Sequence, residues 1–257
     1  NSANLILKHT PEISFTNEAT RSEVMANAYF LRAYCYFTLV RVFGDCPLLT
    51  SGFESEKQED MYPSRTAASE VYAQVETDIE EALRLMPASS KLLHKASPAA
   101  INMLRTEYYL WKAKRLGGGN AALSTAQSSV DAVLKAGYTL LPTFADIFNL
   151  NNEANSELIW TLPYIVNENV TPGTSPNFFA YYLAPNGDRT RLREAGYTED
   201  EVPAGSHAQY VVPTQAYCDF LAEDARDTRT DVSVRVFEDK FLTEEVQIKR
   251  MVVKFKG

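Results

Sequence analysis

The residues best suited to bind a ligand lie in the second half of the chain, in a run that is rich in aromatic side chains. Four rings are followed by an acid and an arginine: Phe178, Phe179, Tyr181, Tyr182, Asp188 and Arg189. The run lies within residues 164–212, where four prolines and two turn sequences predict a long loop region. Rings in a long loop either pack back onto the core or contact a ligand, and both interpretations stay open at this point.

The sequence contains no pattern typical of an active site or a metal centre. Its three histidines, His9, His94 and His207, are far apart, so no helical pair of metal-binding histidines is present. A nucleophile elbow, a phosphate-binding Walker loop and a dinucleotide fingerprint are also missing. We therefore expect no enzymatic activity, no cofactor and no metal site.

Acidic and amide side chains offer two weaker hypotheses. Neighbouring acids occur at 80–81 and 199–201, whereas a glycosidase needs two carboxylates that face each other across a sugar. Adjacent acids are usually solvated, and we expect this of both clusters. Oxygen-bearing side chains alternate from Asn149 to Glu157, but the glycine of a calcium loop is missing, which leaves calcium as an alternative only.

Composition and charge are those of an ordinary globular protein. The 257 residues include 25 basic and 33 acidic side chains, and the net charge of −8 argues against nucleic-acid binding. Three scattered cysteines are too few for a disulfide framework. The most apolar stretch, Tyr29–Phe43, contains two arginines and is shorter than the roughly 20 residues of a membrane span. Because the chain opens at Asn1 without a basic and apolar leader, we expect any targeting segment to have been removed or left out.

Apolar residues at helical spacing predict four helices in the first half of the chain. Their limits are Asn17 to Phe43, Ser64 or Thr66 to Pro87, Ser97 to Gly117 and Asn120 to Gly137. The first helix carries two adjacent apolar stripes, which imply packing partners on two sides. Ser64 and Thr66 are favoured capping residues, and Ser97 is followed by proline, the residue favoured at the first helical position.

Regular structure is predicted to be sparse after Tyr138. The predicted elements are a strand at Glu157–Leu162, a short helix after Pro213-Thr214 and strands between Val232 and Phe255. The helix pair at 98–136 has about the size of a tetratricopeptide unit, although Arg105 stands where that repeat has a small residue. At most two such units are present, whereas about three are needed to bury a continuous core, so we expect further helices to be missing.

The long first helix and its exit carry a specific sequence signature. It consists of the run AYFLRAYCYF at 28–37, Leu39-Val40 and the run FGDCPL at 43–48. Further pieces follow in the same order: Ala3-Asn4, Tyr72, Asp78, Leu85-Met86-Pro87, Ala136-Gly137-Tyr138, Asn155, Glu157-Leu158-Ile159, Pro213-Thr214, Asp224, Asp227 and Arg229. Together they closely resemble the SusD/RagB family of Bacteroidetes over nearly the whole chain. The departures from the family pattern are Cys46 in place of Val or Ile and Thr228 in place of Pro.

This resemblance implies a lipid-anchored protein on the outer-membrane surface that captures a nutrient, typically a glycan, and delivers it to a SusC-like TonB-dependent transporter. The implied fold is mainly α, with tetratricopeptide-like helical repeats and a minor β and long-loop region. Residues 1–257 would form one incomplete SusD-like domain with a helical-repeat part at 1–137 and a loop-rich part at 138–257. The lipid anchor and further C-terminal helices of the family would lie outside this chain. Arg32, Gly44, Asp45 and Pro47 would fix the long helix and its exit.

Ligand residues vary within the family, so the site is predicted from chemistry instead. Sugars offer apolar faces to rings and hydroxyl groups to Asn, Asp and Arg, the mixture found at 177–191. Two alternatives stay open. RagB-like peptide capture would use charged rather than aromatic contacts, and a helical-repeat adaptor would bind a protein partner on its concave helical face.

Overall fold

The computed structural model describes residues 1–55, 62–90, 93–162, 184–198, 205–206, 212–239 and 247–252. In these residues the chain forms eight α-helices and two small two-stranded sheets. It divides into two units, Asn1–Thr139 with Leu158–Pro163 and Leu140–Glu157 with Tyr164–Gly257.

The helices of the first unit include all four that the sequence predicts. They are α1 (Ser2–His9), α2 (Glu18–Phe43), α3 (Ala68–Leu85), α4 (Pro98–Arg115) and α5 (Gly119–Leu134). The α2 helix is capped by Asn17, which accepts a hydrogen bond from the Ala19 amide, and stops at Gly44, whose φ of 67° favours glycine. None of the helices in the described ranges is long and apolar enough to cross a membrane.

The core of this unit lies between α2, α3, α4 and α5. One predicted stripe of α2 is fully buried in it: Ala26, Phe30, Ala33, Phe37 and Val40. The second stripe is less covered, because Leu39 and Phe43 near its end are exposed. Arg105 does not disturb the packing, since its guanidinium donates to Glu80 of α3 at 2.7 Å and to Ser129 of α5 at 2.9 Å.

A buried ion pair links α2 to α3. The guanidinium of Arg32 donates two hydrogen bonds to the carboxylate of Asp78, at 2.8 and 2.7 Å, and a third to Asn4 of α1 at 2.9 Å. Arg32 is 9% exposed and Asp78 is fully buried. The resemblance implied that Arg32 fixes α2 and its exit; the contacts show that it joins three helices near the middle of α2.

The start of α3 is held by a residue that the helical pattern did not indicate. Neither Ser64 nor Thr66 caps the helix, which begins at Ala68 with no side-chain hydrogen bond from its N-cap. Instead, Asp45 accepts a hydrogen bond from the Ala68 amide at 2.8 Å. Because Asp45 follows the end of α2, it ties the exit of one helix to the entry of the next.

The second unit contains short elements. Its helices are α6 (Asn186–Glu194), α7 (Gln215–Ala222) and α8 (Arg229–Ser233), and its strands are β1 (Ala184–Pro185), β2 (Gly205–Ser206), β3 (Val234–Asp239) and β4 (Gln247–Val252). The short helix after Pro213-Thr214 is confirmed as α7, with Thr214 as its cap. Strands in the tail are confirmed as the antiparallel pair β3–β4.

Two expectations for the second half are wrong. No strand forms at Glu157–Leu162 among the described residues, because the apolar run packs onto the helical core: Trp160 contacts the rings of Phe30 and Tyr34 edge-on. Residues 164–212 are also not one long loop, since they contain β1, which pairs in parallel with β2, and the helix α6.

Candidate functional site

The α6 helix carries the described part of the predicted ligand site. Asp188 and Arg189 lie in its first turn, directly after β1, although their side chains are not among those described. The rings Phe178, Phe179, Tyr181 and Tyr182 lie outside the described residues, so their role as ligand contacts stays a prediction.

Local chemistry explains why a helix forms here. Asn186 is a residue type favoured at turns and also at helix starts, so Asn186-Gly187, which forms part of one of the two turn sequences counted within 164–212, fits a helix entry equally well. Arginines in the last turn, Arg191 and Arg193, suit the negative end of the helix dipole. Leu192 anchors the helix, since it is 1% exposed.

The end of α6 is closed by a glycine turn. Gly196 has a φ of 99°, which strongly favours glycine, and its amide donates to the carbonyl of Arg193 at 3.0 Å. The amide of Tyr197 donates to the carbonyl of Leu192 at 3.1 Å. These two bonds form the usual closing motif of a helix and place Tyr197 beside the helix end.

A hollow of about 490 Å³ lies along one side of this segment. It is lined by Thr190, Arg193, Glu194, Tyr197 and Thr198. Thr190, Arg193 and Glu194 share one face of α6, because they recur at helical spacing, and Tyr197 and Thr198 follow the glycine turn that closes the helix. We call this hollow the α6 hollow. Its volume lies within the range of small-molecule sites in proteins.

The α6 hollow combines the groups that recognise a sugar. Tyr197 supplies a ring for the apolar face of a pyranose, and two threonine hydroxyls both donate and accept hydrogen bonds. Arg193 presents a planar fork of donors, and the Glu194 carboxylate accepts. Sequence reasoning missed all five lining residues: Thr190, Arg193, Glu194, Tyr197 and Thr198. The signal that could have found the first three is their polar character at helical spacing.

The described acids and histidine that were considered for catalysis or for metal binding have structural partners instead. Glu80 accepts hydrogen bonds from Arg105 and Tyr109, whereas Glu81 pairs with Arg84 on the surface. His9 lies between two carboxylates, and its hydrogen bonds to Glu12 and Glu54 raise its pKa. The 199–201 acids and His207 lie outside the described residues.

The segment considered for calcium uses its oxygens to hold the backbone. Asn149 accepts a hydrogen bond from the Asn151 amide, and Asn155 accepts one from the Glu157 amide. The Glu157 carboxylate accepts from the Leu141 amide at 3.0 Å. In the part of the chain that the structure describes, no group of three or more His, Cys, Asp or Glu side chains is placed to hold a metal ion.

Comparison with known proteins assigns the chain to a family. Residues 1–109 match the family model of SusD-like proteins described as starch-binding and associating with the outer membrane. SusD-like protein P38 of Formosa agariphila is 32% identical over 204 residues, which cover 72% of this chain and 37% of P38. The chain is SusD-like. The predicted resemblance to the SusD/RagB family is thereby confirmed.

Solved structures show the same fold over the SusD-like chain. NanU of B. fragilis superposes with a TM-score of 0.84 at 25% identity, covering 99% of this chain and 52% of NanU. A laminarin-binding SusD-like protein superposes with a TM-score of 0.74 at 22% identity, covering 99% of this chain and 56% of that protein. The mainly helical, tetratricopeptide-like fold class is therefore confirmed. The chain spans about half the length of these solved proteins and about a third of the length of the curated relatives it matches.

Proposed function

We propose that this SusD-like chain takes part in capturing a glycan at the cell surface. The observation that carries the proposal is the α6 hollow, in which a tyrosine ring lies beside threonine hydroxyls, a guanidinium and a carboxylate. The laminarin-binding protein of the same fold supports it, because its name shows that this fold can carry a glycan site.

The site proposed here extends from the α6 hollow to the preceding aromatic run. Phe178, Phe179, Tyr181 and Tyr182 supply further stacking surfaces, and Asp188 and Arg189 supply hydrogen bonds from the first turn of α6. Binding without catalysis fits this set, because stacking and hydrogen bonding hold a sugar in place without a nucleophile or an acid pair aligned on its glycosidic bond.

The remaining steps concern the whole protein. We propose that it is held on the outer membrane by a lipid attached outside this chain. From there it delivers its ligand to a SusC-like TonB-dependent transporter. The family description, which associates these proteins with the outer membrane, supports this location.

Calorimetry against laminarin, starch and xyloglucan oligosaccharides tests the binding step. We expect at least one of them to bind, and Tyr197→Ala to weaken that binding about tenfold, because the variant removes the aromatic ring that lines the hollow. The matched control is Tyr217→Ala, which removes an exposed ring of α7 and should leave the affinity unchanged.

Peptide capture is the second candidate, and one observation favours it. Arg193 and Glu194 both line the α6 hollow, and such a charged pair could hold the backbone or charged side chains of a peptide. A digest of casein is therefore included among the calorimetric probes. Binding of the peptides with no response to any of the three glycans would replace glycan capture by peptide capture.

A further inference from the structure

A second hollow, of about 530 Å³, lies in the first unit. Its walls come from α1, α2, α3 and the segment that follows α2, and they include Tyr29, Arg32, Thr50, Ser51, Gly52 and Gln74. We call it the Arg32 hollow. No residue of the predicted ligand site belongs to it.

The walls of the Arg32 hollow are held rigidly. Arg32 is fixed by its paired bonds to Asp78, and Asn4 holds the 49–51 segment through bonds from its amide to the carbonyls of Leu49 and Ser51. Gly52 packs so closely on α1 that an added Cβ would lie 2.7 Å from a methyl carbon of Leu5. A ligand that binds in a hollow with rigid walls orders few side chains on entry, so the entropy cost of binding is small.

The charges around the hollow are already paired. Arg32 is neutralised by Asp78, and Lys8 of α1 lies 2.7 Å from Glu54. A charged ligand would therefore find no unmatched opposite charge among these groups and would lose its hydration on entry. A neutral ligand avoids this cost.

Polar side chains at the mouth of the hollow are open to a ligand, because Thr50 and Ser51 are exposed. Among the described residues, no hydrogen bond engages the hydroxyls of Tyr29, Thr50 and Ser51 or the side-chain oxygen of Gln74, whose amide donates to Asp78. Leu7 and the ring of Tyr29 add apolar surface. Several hydroxyl partners beside apolar surface are what a small polyhydroxy molecule requires.

We infer that the Arg32 hollow binds a neutral polyhydroxy ligand the size of one sugar unit, independently of the α6 hollow. The inference does not rest on the proposed glycan capture, because it concerns a different unit and different residues. It identifies a second binding site in the helical part of the chain.

Ligand-observed NMR on the full chain tests this inference with free glucose, galactose, mannose and xylose as probes. The key variant is Tyr29→Phe/Thr50→Val/Ser51→Ala, which removes three hydroxyls with little change in shape. We expect it to lower the affinity for the responding sugar at least tenfold while the melting temperature stays the same. The matched control, Tyr62→Phe/Ser64→Ala, changes exposed hydroxyls of a neighbouring segment and should have no effect.

Further outcomes separate this site from the α6 hollow. The four sugars are therefore also measured in the Tyr197→Ala background, in which the α6 hollow has lost its ring, and the binding that remains there should be lost when the triple variant is added. The inference is overturned if none of the four sugars binds to Tyr197→Ala, or if adding the triple variant to Tyr197→Ala leaves the affinity unchanged. Tighter binding of glucuronate than of glucose would contradict the neutral character of the ligand.

Discussion

Arg32 is the most deeply buried charge on α2, and its environment shows why an arginine is required. Its fork of donors satisfies both oxygens of Asp78 and the side chain of Asn4 at the same time. A lysine has one charged group and cannot reproduce this planar, bidentate contact. At this position the side chain acts as a joint between α1, α2 and α3.

The first prediction concerns this joint. Asp78→Ala should lower the free energy of unfolding by about 3–5 kcal/mol, because it leaves Arg32 buried without its counter-charge. Urea denaturation measures the change. The matched control is Glu81→Ala on the same helix, whose partner Arg84 is exposed, so it should change stability little. Equal losses of unfolding free energy in the two variants would show that the buried pair stabilises the fold no more than the exposed pair does.

At the scale of helices, hydrogen bonds join the two ends of the segment that connects α2 to α3. The backbones of Cys46 and Thr66 exchange hydrogen bonds of 3.2 and 3.0 Å, and Asp45 accepts from the Ala68 amide. These contacts bring the end of α2 to the start of α3 across more than twenty residues of intervening chain.

The second prediction follows from that cap. Asp45→Ala should destabilise the chain by about 0.5–2 kcal/mol, because an amide at the start of α3 loses its acceptor and a negative charge leaves the helix N-terminus. Ser64→Ala should change the stability little, because α3 begins at Ala68 and the Ser64 side chain does not cap it. Thermal unfolding of both variants measures this, and a larger loss for Ser64→Ala would contradict the assignment of the cap.

One carboxylate of α3 accepts several hydrogen bonds from α4. Glu76 accepts hydrogen bonds from Tyr108, Tyr109 and Lys112 at 2.7–2.9 Å. Burial acts to raise the pKa of Glu76, but the bonds from Lys112 and the two tyrosines outweigh it, and the pKa lies below its ordinary value of 4.5.

The third prediction is the pH dependence that results. A lowered pKa in the folded state means that Glu76 stabilises the fold above the pKa of the unfolded chain, and that this contribution is lost as the pH falls below about 4.5 through the folded value. Glu76→Gln should therefore show a smaller fall in melting temperature between neutral and acidic pH than the wild type. Glu70→Gln, at an exposed position of α3, is the control and should retain the wild-type fall. An unchanged acid response in Glu76→Gln would be inconsistent with this role.

At the scale of the whole molecule, the residues of the large core and the residues proposed to bind the glycan lie in different units. The helical first unit contains the large core, whereas the proposed glycan site lies on α6 and the aromatic run of the second unit. A ring that contacts a ligand is expected to matter for affinity, and a ring that only packs is expected to matter for stability.

The fourth prediction uses this division. Tyr181→Ala and Tyr182→Ala should each weaken binding of the glycan found by calorimetry, with little change in melting temperature. Each variant is measured for affinity and for thermal unfolding, with Tyr217→Ala as the ring-removal control. If both variants keep the wild-type affinity, the aromatic run is not the binding site.

Local signals in the sequence were sufficient for the long helices. Asn17, Gly44 and Ser97-Pro98 mark the ends of α2 and the start of α4, because capping and turn preferences act over a few residues. The buried stripe of α2 was likewise visible, since a spacing of three and four residues places side chains on one helical face. The SusD-like signature lies in this same region, which is why the family could be recognised from sequence.

Tertiary contacts decided what those local signals could not. The α1 helix is only eight residues long, too short to be stable alone, and Asn4 anchors it through bonds to the 49–51 segment and Arg32. The apolar run around Trp160 had the composition of a strand but found its burial against α2 instead. The sequence by itself determined the four long helices, the caps of α2 and α4, and the family. The Asp45 cap, the Arg32 joint and both hollows required the tertiary structure, because each joins residues that are distant in sequence or depends on how short segments fold around one another.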